Sequence, residues 1–345
     1  MPARGSSVFS DDIAIDLGTA NTLFYVIGLG IVVDEPSLVA VSGKGDDREI
    51  LAVGRKAKAL IGHTPERIEV VHPMRDGVVA DFLATQEMLR RFIKRTRSVL
   101  NFRQPRLLIA IPAAATPVER RTVYETARMA GAREVYLIEE PVAAALGAGL
   151  PVATAKGYMV VDIGGGTTDI AVLSRGSVVN TRSRRCAGNA MDAAIIRYVR
   201  KRHRLTIGNA DAERIKIEAG TAQAATNGRP LEIRIRGSDG LLNVPKEAVL
   251  TQKDVADALS GPIEEIAEFI QYMLEDLPSD LNGSVCENGI ALTGGGALLK
   301  KLDTELNRRV GVRFVVPDNP ILCVVKGTAI VLEQLAAWRH LLIAP

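Results

Sequence analysis

Apolar positions along this chain recur in two alternating periods. Short runs dense in Ile, Val and Leu predict strands at residues 13–15, 23–26, 31–33 and 38–41, joined by tight turns such as Gly28-Leu29-Gly30. From Phe82 the period lengthens. Phe82, Met88, Leu89, Phe92 and Ile93 share one side of a helix predicted over 82–97. A strand at 107–111 precedes Thr116-Pro117, a helix start in which proline at the first helical position gives up no hydrogen bond, and this helix reaches about residue 130 before Gly131. A strand at 135–138 and a helix over 141–147 follow. This alternation predicts α/β layers rather than an all-helical or all-β fold.

Composition narrows the picture. A chain of 345 residues predicts two domains at roughly 150 residues each. With 43 Lys and Arg against 40 Asp and Glu, the net charge of +3 is too small to indicate nucleic-acid binding. Apolar residues make up 47% and aromatics 4%, so the cores rest on Val, Ile, Leu and Ala. The apolar stretch 23–33 contains two glycines and falls short of the roughly 20 residues of a membrane span. The first residues show no signal-peptide run, and the first ten make a weak amphipathic anchor. Cys186, Cys286 and Cys323 are widely spaced and read as small buried side chains in a reducing compartment. The four histidines lack ligand spacing, which excludes zinc.

An internal echo carries most information. Residues 12–22 read DIAIDLGTANT and residues 159–170 read MVVDIGGGTTDI. Each is an apolar strand, an aspartate, an apolar residue, glycine and a threonine-rich turn, predicting two similar α/β lobes. A third cluster, Thr293-Gly294-Gly295-Gly296-Ala297, follows another apolar run. Glycine turns let backbone N–H groups approach phosphate oxygens; Thr19, Asn21, Thr167 and Thr168 add neutral donors. Asp16 and Asp162 would repel a triphosphate unless a hydrated cation lay between, and Mg²⁺, which keeps waters and takes one or two carboxylates, suits that place. No Walker sequence is present, and neither turn leads straight into a long helix as a dinucleotide fingerprint does. Glu140, at a strand end in Glu139-Glu140-Pro141, suits a residue that orients water for in-line attack on a γ-phosphate. Glu213 and Lys216 lie three apart on one helix face, as an adenosine contact or a surface ion pair.

Together these motifs resemble the actin, sugar-kinase and heat-shock-chaperone ATPase superfamily, and within it the MreB-type bacterial actins of cell-shape determination. Asp34-Glu35-Pro36-Ser37, Pro73-Met74-Arg75-Asp76-Gly77-Val78, Val118-Glu119-Arg120-Arg121, Gly131-Ala132-Arg133-Glu134 and Gly147-Ala148-Gly149-Leu150-Pro151 extend the resemblance from about residue 11 to 332. It implies an α/β actin-like ATPase fold, two duplicated lobes around a nucleotide cleft, each with a smaller inserted subdomain. The lobes would cover 1–145 (insertion about 33–65) and 146–314 (insertion about 182–242), with 315–345 returning to the first. By resemblance, ATP or ADP would meet Gly18, Thr19, Ala20 and Asn21 from one lobe. Gly164, Gly165, Gly166, Thr167, Thr168 and Asp169 would meet it from the other. Asp16 and Asp162 would hold Mg²⁺ through water, and Glu140 with Thr167 would position the attacking water. Glu213, Arg214, Ile215 and Lys216 would line the adenosine, with Gly294, Gly295, Gly296 and Ala297 beneath it. One departure stands out: Ala187-Gly188-Asn189 carries asparagine where the family has aspartate, leaving a weakly hydrolysing paralogue open.

The resemblance further implies slow ATP hydrolysis coupled to paired filaments on the inner face of the cytoplasmic membrane. There they would work with membrane proteins of the elongation machinery in peptidoglycan synthesis. Val99, Leu100 and Phe102 form an apolar tip among Arg90, Arg91, Lys94, Arg95, Arg97, Arg103 and Arg106, a pattern suited to an anionic leaflet. The helix from Pro117, with Val118, Arg120, Arg121, Tyr124 and Arg128, is a candidate for pairing protofilaments. The alternatives are a soluble sugar-kinase-type phosphotransferase, which needs a substrate base not visible here; a chaperone-type ATPase, which needs a further peptide-binding domain; and a plasmid-partitioning actin, disfavoured by the motifs outside the nucleotide site.

Overall fold

The computed structural model describes residues 12–43, 48–61, 68–96, 104–224, 231–240 and 244–345. They form two compact units. Unit 1 comprises Met1–Thr154, Leu173–Thr181 and Leu322–Pro345; unit 2 comprises Ala155–Val172 and Arg182–Ile321.

Unit 1 opens on a meander of β1 (Ile13–Leu17), β2 (Asn21–Val26) and β3 (Gly30–Pro36), each antiparallel to the next. Then come β4 (Val39–Ser42), β5 (Glu49–Val53), the short α1 (Arg55–Lys58) and β6 (Ile68–Val71). These three strands make a second sheet in the order β5-β4-β6. The small hairpin of β7 (Met74–Arg75) and β8 (Val78–Val79) leads to α2 (Phe82–Thr96). Next are β9 (Arg106–Ile111), α3 (Pro117–Met129), β10 (Glu134–Glu139) and α4 (Glu140–Gly147). The start of α3 is a full capping box. Thr116 and Glu119 satisfy each other's backbone N–H groups, and Pro117 follows directly.

Unit 2 repeats the plan with β11 (Tyr158–Ile163), β12 (Thr168–Ser174) and β13 (Ser177–Arg184). Helix α5 (Gly188–His203), β14 (Leu205–Thr206) and α6 (Asn209–Ala219) follow. The hairpin β15 (Glu232–Asp239) and β16 (Pro245–Thr251) completes a three-stranded sheet with β14. The long α7 (Gln252–Glu275), α8 (Ser279–Asn288), β17 (Ile290–Thr293), α9 (Leu302–Val310) and β18 (Phe314–Val315) close the unit. The chain returns to unit 1 through α10 (Cys323–Glu333), α11 (Leu335–Trp338) and β19 (Leu342–Ile343).

The duplication expected from the echo is plain in the strand order. One sheet reads β3-β2-β1-β9-β10, with β19 beyond, and the other β13-β12-β11-β17-β18. In each, the first strand of the meander lies against a parallel strand on its other side, β1 on β9 and β11 on β17. Such strands are covered on both faces, which is why they read as unbroken apolar runs. The cores follow composition. Aliphatic side chains and alanines dominate both, with one aromatic pair, Phe24 edge-on to Phe92 at 5.9 Å, in unit 1. Cys186 and Cys323 are buried as expected, but Cys286 is exposed on α8, its thiol donating to Asn282 Oδ1. Among the described residues no single helix is long and apolar enough to cross a membrane.

Candidate functional site

The unit 1 turn joins β1 to β2. Asp16 stands opposite Leu23 on β2 and Ala110 on β9, one residue before the strand ends. The turn is braced from elsewhere. The buried Ser37 hydroxyl donates to Gly18 O at 2.6 Å and lies 2.8 Å from the Thr22 hydroxyl, while Ser37 N–H donates to Ala20 O. Thr19 Oγ1 accepts the Gly77 N–H at 2.7 Å, which leaves the Thr19 hydroxyl proton available to an acceptor. Ala20 and Asn21 are exposed at the tip. None of these braces was foreseen. Ser37 and Gly77 sit in motifs the sequence shows, yet nothing local to them points at residue 18 or 19.

Glu140 is buried in the first turn of α4, where β10 passes directly into the helix and Pro141 takes the second position. A carboxylate there is favoured by the helix N-terminus. Helix α4 lies unusually close to α10: a Cβ on Gly147 would sit 1.8 Å from Cys323 O, and one on Gly327 would sit 1.7 Å from Ala143 O. The glycine pair thus fixes the helix that carries Glu140.

The unit 2 turn joins β11 to β12 and closes with Gly164 N–H donating to Thr167 O at 2.9 Å. Asp162 is only 5% exposed and accepts the Thr293 hydroxyl at 2.7 Å across the β11–β17 pairing. Burial pushes its carboxyl up to about 7; the Thr293 hydrogen bond opposes this, and the neighbouring Asp169 adds to it. Thr168 is wholly buried, its hydroxyl donating to Cys186 O, so it braces the turn rather than facing outward. The third glycine cluster lies against this same turn. Gly294 has φ +79°, and a Cβ there would fall 2.4 Å from Ile163 O; one on Gly296 would fall 2.3 Å from Ile163 Cγ2. Gly295 is exposed above this contact and Ala297 buried below it.

Helix α5 begins at the turn without a side-chain cap. Its first N–H groups are satisfied by the turn itself: Gly188 N–H donates to Gly164 O at 3.1 Å and Asn189 N–H to Gly165 O at 2.7 Å. Gly188 is therefore needed for space rather than for unusual dihedrals, since its φ is not positive and a Cβ would lie 3.3 Å from Gly164 O. The Asn189 bond is a backbone one, which any residue there would make. On α6, Ala212, Ile215 and Ala219 face the core, and Ile215 is completely buried. Its side chain offers no surface to a ligand, contrary to the expectation for it. Arg214 pairs along its own helix with Asp211 and Glu218. Lys216 does not pair with Glu213. It reaches Asp192 on α5 at 2.8 Å and Gly188 O at 3.0 Å.

Chemically, each turn offers backbone and hydroxyl donors beside an aspartate, a set that suits an oxyanion with its counter-cation. Among the described residues no three His, Cys, Asp or Glu side chains group into a metal cage. Hard oxygen donors that are few, such as the Asp162 carboxylate, fit Mg²⁺, which retains much of its water and takes its remaining ligands from phosphate. The membrane tip Val99, Leu100 and Phe102 lies outside the described residues, as do Arg97, Arg103 and residues 1–11. The described part of the basic collar is mostly engaged: Arg90 and Arg91 share Glu87, Arg95 holds the buried Glu35, and Arg106 pairs with Asp12.

Two α/β units of identical strand order, each opening on an aspartate-headed turn, define a protein of the actin-like fold. The MreB/Mbl protein family model matches residues 10–340. The chain belongs to that family, the bacterial actin-like cell-shape proteins. It is 47% identical over 331 residues to the cell shape-determining protein MreB of Escherichia coli (strain K12), covering 95% of each chain. Against the cell shape-determining protein Mbl of Bacillus subtilis (strain 168) it is 42% identical, covering 95% of this chain and 97% of that one. Among solved structures, MreB5 of Spiroplasma citri bound to AMPPNP superposes with a TM-score of 0.88 at 34% identity, covering 94% of this chain and 96% of that one.

Proposed function

We propose that this chain is an ATP-dependent, membrane-associated filament protein that sets cell shape by organising peptidoglycan synthesis along the inner face of the cytoplasmic membrane. The observation that carries nucleotide binding is Asp162: a buried carboxylate at the head of a glycine turn, raised by desolvation and beside a second aspartate. Such a group is costly to keep ionised unless a cation pairs with it, and a cation held there in turn attracts an oxyanion to the turn's N–H groups. The Spiroplasma citri relative was crystallised with AMPPNP and with ADP, which supports the same ligand class here.

In this reading the turn of residues 18–21 and that of residues 164–169 both take phosphate oxygens through N–H groups and the Thr19 and Thr167 hydroxyls. Asp16 and Asp162 would hold Mg²⁺ through water, which offsets phosphate charge. Glu140, held in place by α4, orients the attacking water with Thr167, giving slow hydrolysis coupled to polymerisation. Filaments would pair through α3, whose Val118 is exposed and lines an open groove of ≈ 510 Å³ with Phe82, Pro117, Thr122 and Pro345. Membrane proteins of the elongation machinery would be the partners on the lipid side.

Sedimentation with ATP and Mg²⁺, with and without anionic liposomes, tests the whole. Filaments that pellet with ATP and co-sediment with lipid support it; a chain that stays monomeric across a concentration series and phosphorylates a sugar overturns it. Glu140→Ala should slow phosphate release by about 100-fold, within the range of a positioned acid–base group, while ATP stays bound; an unchanged rate removes Glu140 from the role. Replacing Val99, Leu100 and Phe102 by serine should abolish flotation with anionic vesicles and leave ATP affinity intact. Unchanged flotation rejects the apolar tip as the anchor.

A further inference from the structure

We propose that Asp192 is a positioning residue for the unit 2 turn, acting through Lys216 and the Gly188 peptide. The inference rests on that turn being the phosphate site. Lys216 Nζ lies 2.8 and 2.9 Å from the two Asp192 carboxylate oxygens and donates to Gly188 O at 3.0 Å. The Lys216 side chain is 17% exposed and that of Asp192 14%. A pair this sheltered keeps much of its attraction, because solvent and salt screen it weakly.

The Gly188 peptide is the joint. The Gly188 carbonyl is held by Lys216, and the N–H of that same peptide group, on Asn189, holds Gly165 O; Gly188's own N–H, one peptide earlier, holds Gly164 O. A Cβ on Gly188 would touch Gly164 O at 3.3 Å and Lys216 Nζ at 3.4 Å, so the turn, α5 and α6 meet there with no slack. Asp192 lies four residues further along α5, one helical turn from Gly188. Its carboxylate anchors the ammonium, the ammonium anchors the Gly188 carbonyl, and the peptide so oriented presents the Asn189 N–H to Gly165 O of the turn. Without Asp192 the ammonium keeps a single neutral acceptor and is free to swing toward solvent, and the Gly188 peptide loses its fixed tilt.

This arrangement separates two kinds of recognition that a direct ligand would mix. The phosphates would feel Asp192 through the turn, whereas a nucleoside would meet α6, where the substitution releases Lys216 and leaves Glu213 as it is. The experiment uses the full chain and three probes: Mg-ATP, inorganic tripolyphosphate with Mg²⁺, and adenosine. For Asp192→Ala the affinity for ATP and for tripolyphosphate should each fall about tenfold, with adenosine, which also meets Glu213, falling by clearly less. Asp192→Asn, which keeps an acceptor for Lys216, should recover part of the loss and guards against a variant that does not fold. Equal losses on adenosine and on tripolyphosphate, or no loss on either, would overturn the positioning role. Failure of the unsubstituted chain to bind ATP or tripolyphosphate would instead strike down the nucleotide reading itself.

Discussion

Replacing Gly327 by alanine should unfold unit 1 far more readily than its size suggests, by about 3 kcal/mol or more. Adding a methyl to a packed core ordinarily costs about 1–3 kcal/mol, because neighbouring side chains can rotate away. Here the obstacle is main chain. The new Cβ would sit 1.7 Å from Ala143 O, and its helix partner Gly147 meets Cys323 O in the same way. No rotamer relieves either contact, so α4 and α10 must move apart and open the buried surface between them, in which nearly every residue of both is sunk. Helix propensity pulls the other way, since alanine is favoured over glycine by about 1 kcal/mol in a helix interior. Gly283→Ala in α8 isolates that term, because nothing lies within 4 Å of its Cβ position, and it should stabilise by about 0.5–1 kcal/mol. Denaturant melts of the two variants therefore move in opposite directions. A Gly327→Ala protein as stable as the parent would show that the two helices are not locked. Because α4 carries Glu140, a tolerated but displaced α4 should also lower hydrolysis without lowering ATP affinity.

The extent to which this architecture was legible follows the range of the interactions involved. Strands β1, β2, β11 and β12 were readable because burial on both faces writes a continuous apolar run, and the turns because Asp-x-Gly chemistry is local. The duplication was visible for the same reason: both halves spell it in consecutive residues. Other features are written only in three dimensions. Ser37 and Gly77 brace residues 18 and 19 from other elements, and a hydroxyl after proline says nothing about its acceptor. Helix α7 continues through Pro262, although proline removes a hydrogen bond and ordinarily ends a helix; the burial of its long apolar face outweighs that loss. Glu213 and Lys216 had the spacing of an ion pair, yet Lys216 turns to another helix, a choice that spacing along one helix cannot express. The resemblance sets Ile215 beside its neighbours at the adenosine, whereas the 3.6-residue period turns its side chain with Ala212 and Ala219 into the core.

Asp162→Asn should stabilise the ligand-free protein above pH 7 while weakening nucleotide binding. In the folded chain, burial holds the Asp162 carboxyl up at about 7, against a usual value of 3.8. Between those values the folded state keeps a proton that the unfolded state has released. Stability therefore falls as pH rises from about 4 to about 7 and levels off above, the reverse of a salt-bridged carboxylate. Each pKa unit corresponds to about 1.4 kcal/mol, so the full cost approaches about 4 kcal/mol. Asparagine carries no charge to desolvate and retains an oxygen for the Thr293 hydroxyl, so the variant loses this pH dependence and melts higher than the parent at pH 8. Thermal melts of both proteins at pH 5, 6, 7 and 8, free of nucleotide and divalent cation, measure the difference; parallel profiles would show that Asp162 ionises at no cost. With Mg-ATP present the order should reverse, because binding to the folded state stabilises it in proportion to affinity, and the parent keeps the carboxylate that the cation needs. A residue whose removal strengthens the empty protein and weakens the loaded one is retained for its ligand, since the fold alone would favour asparagine there.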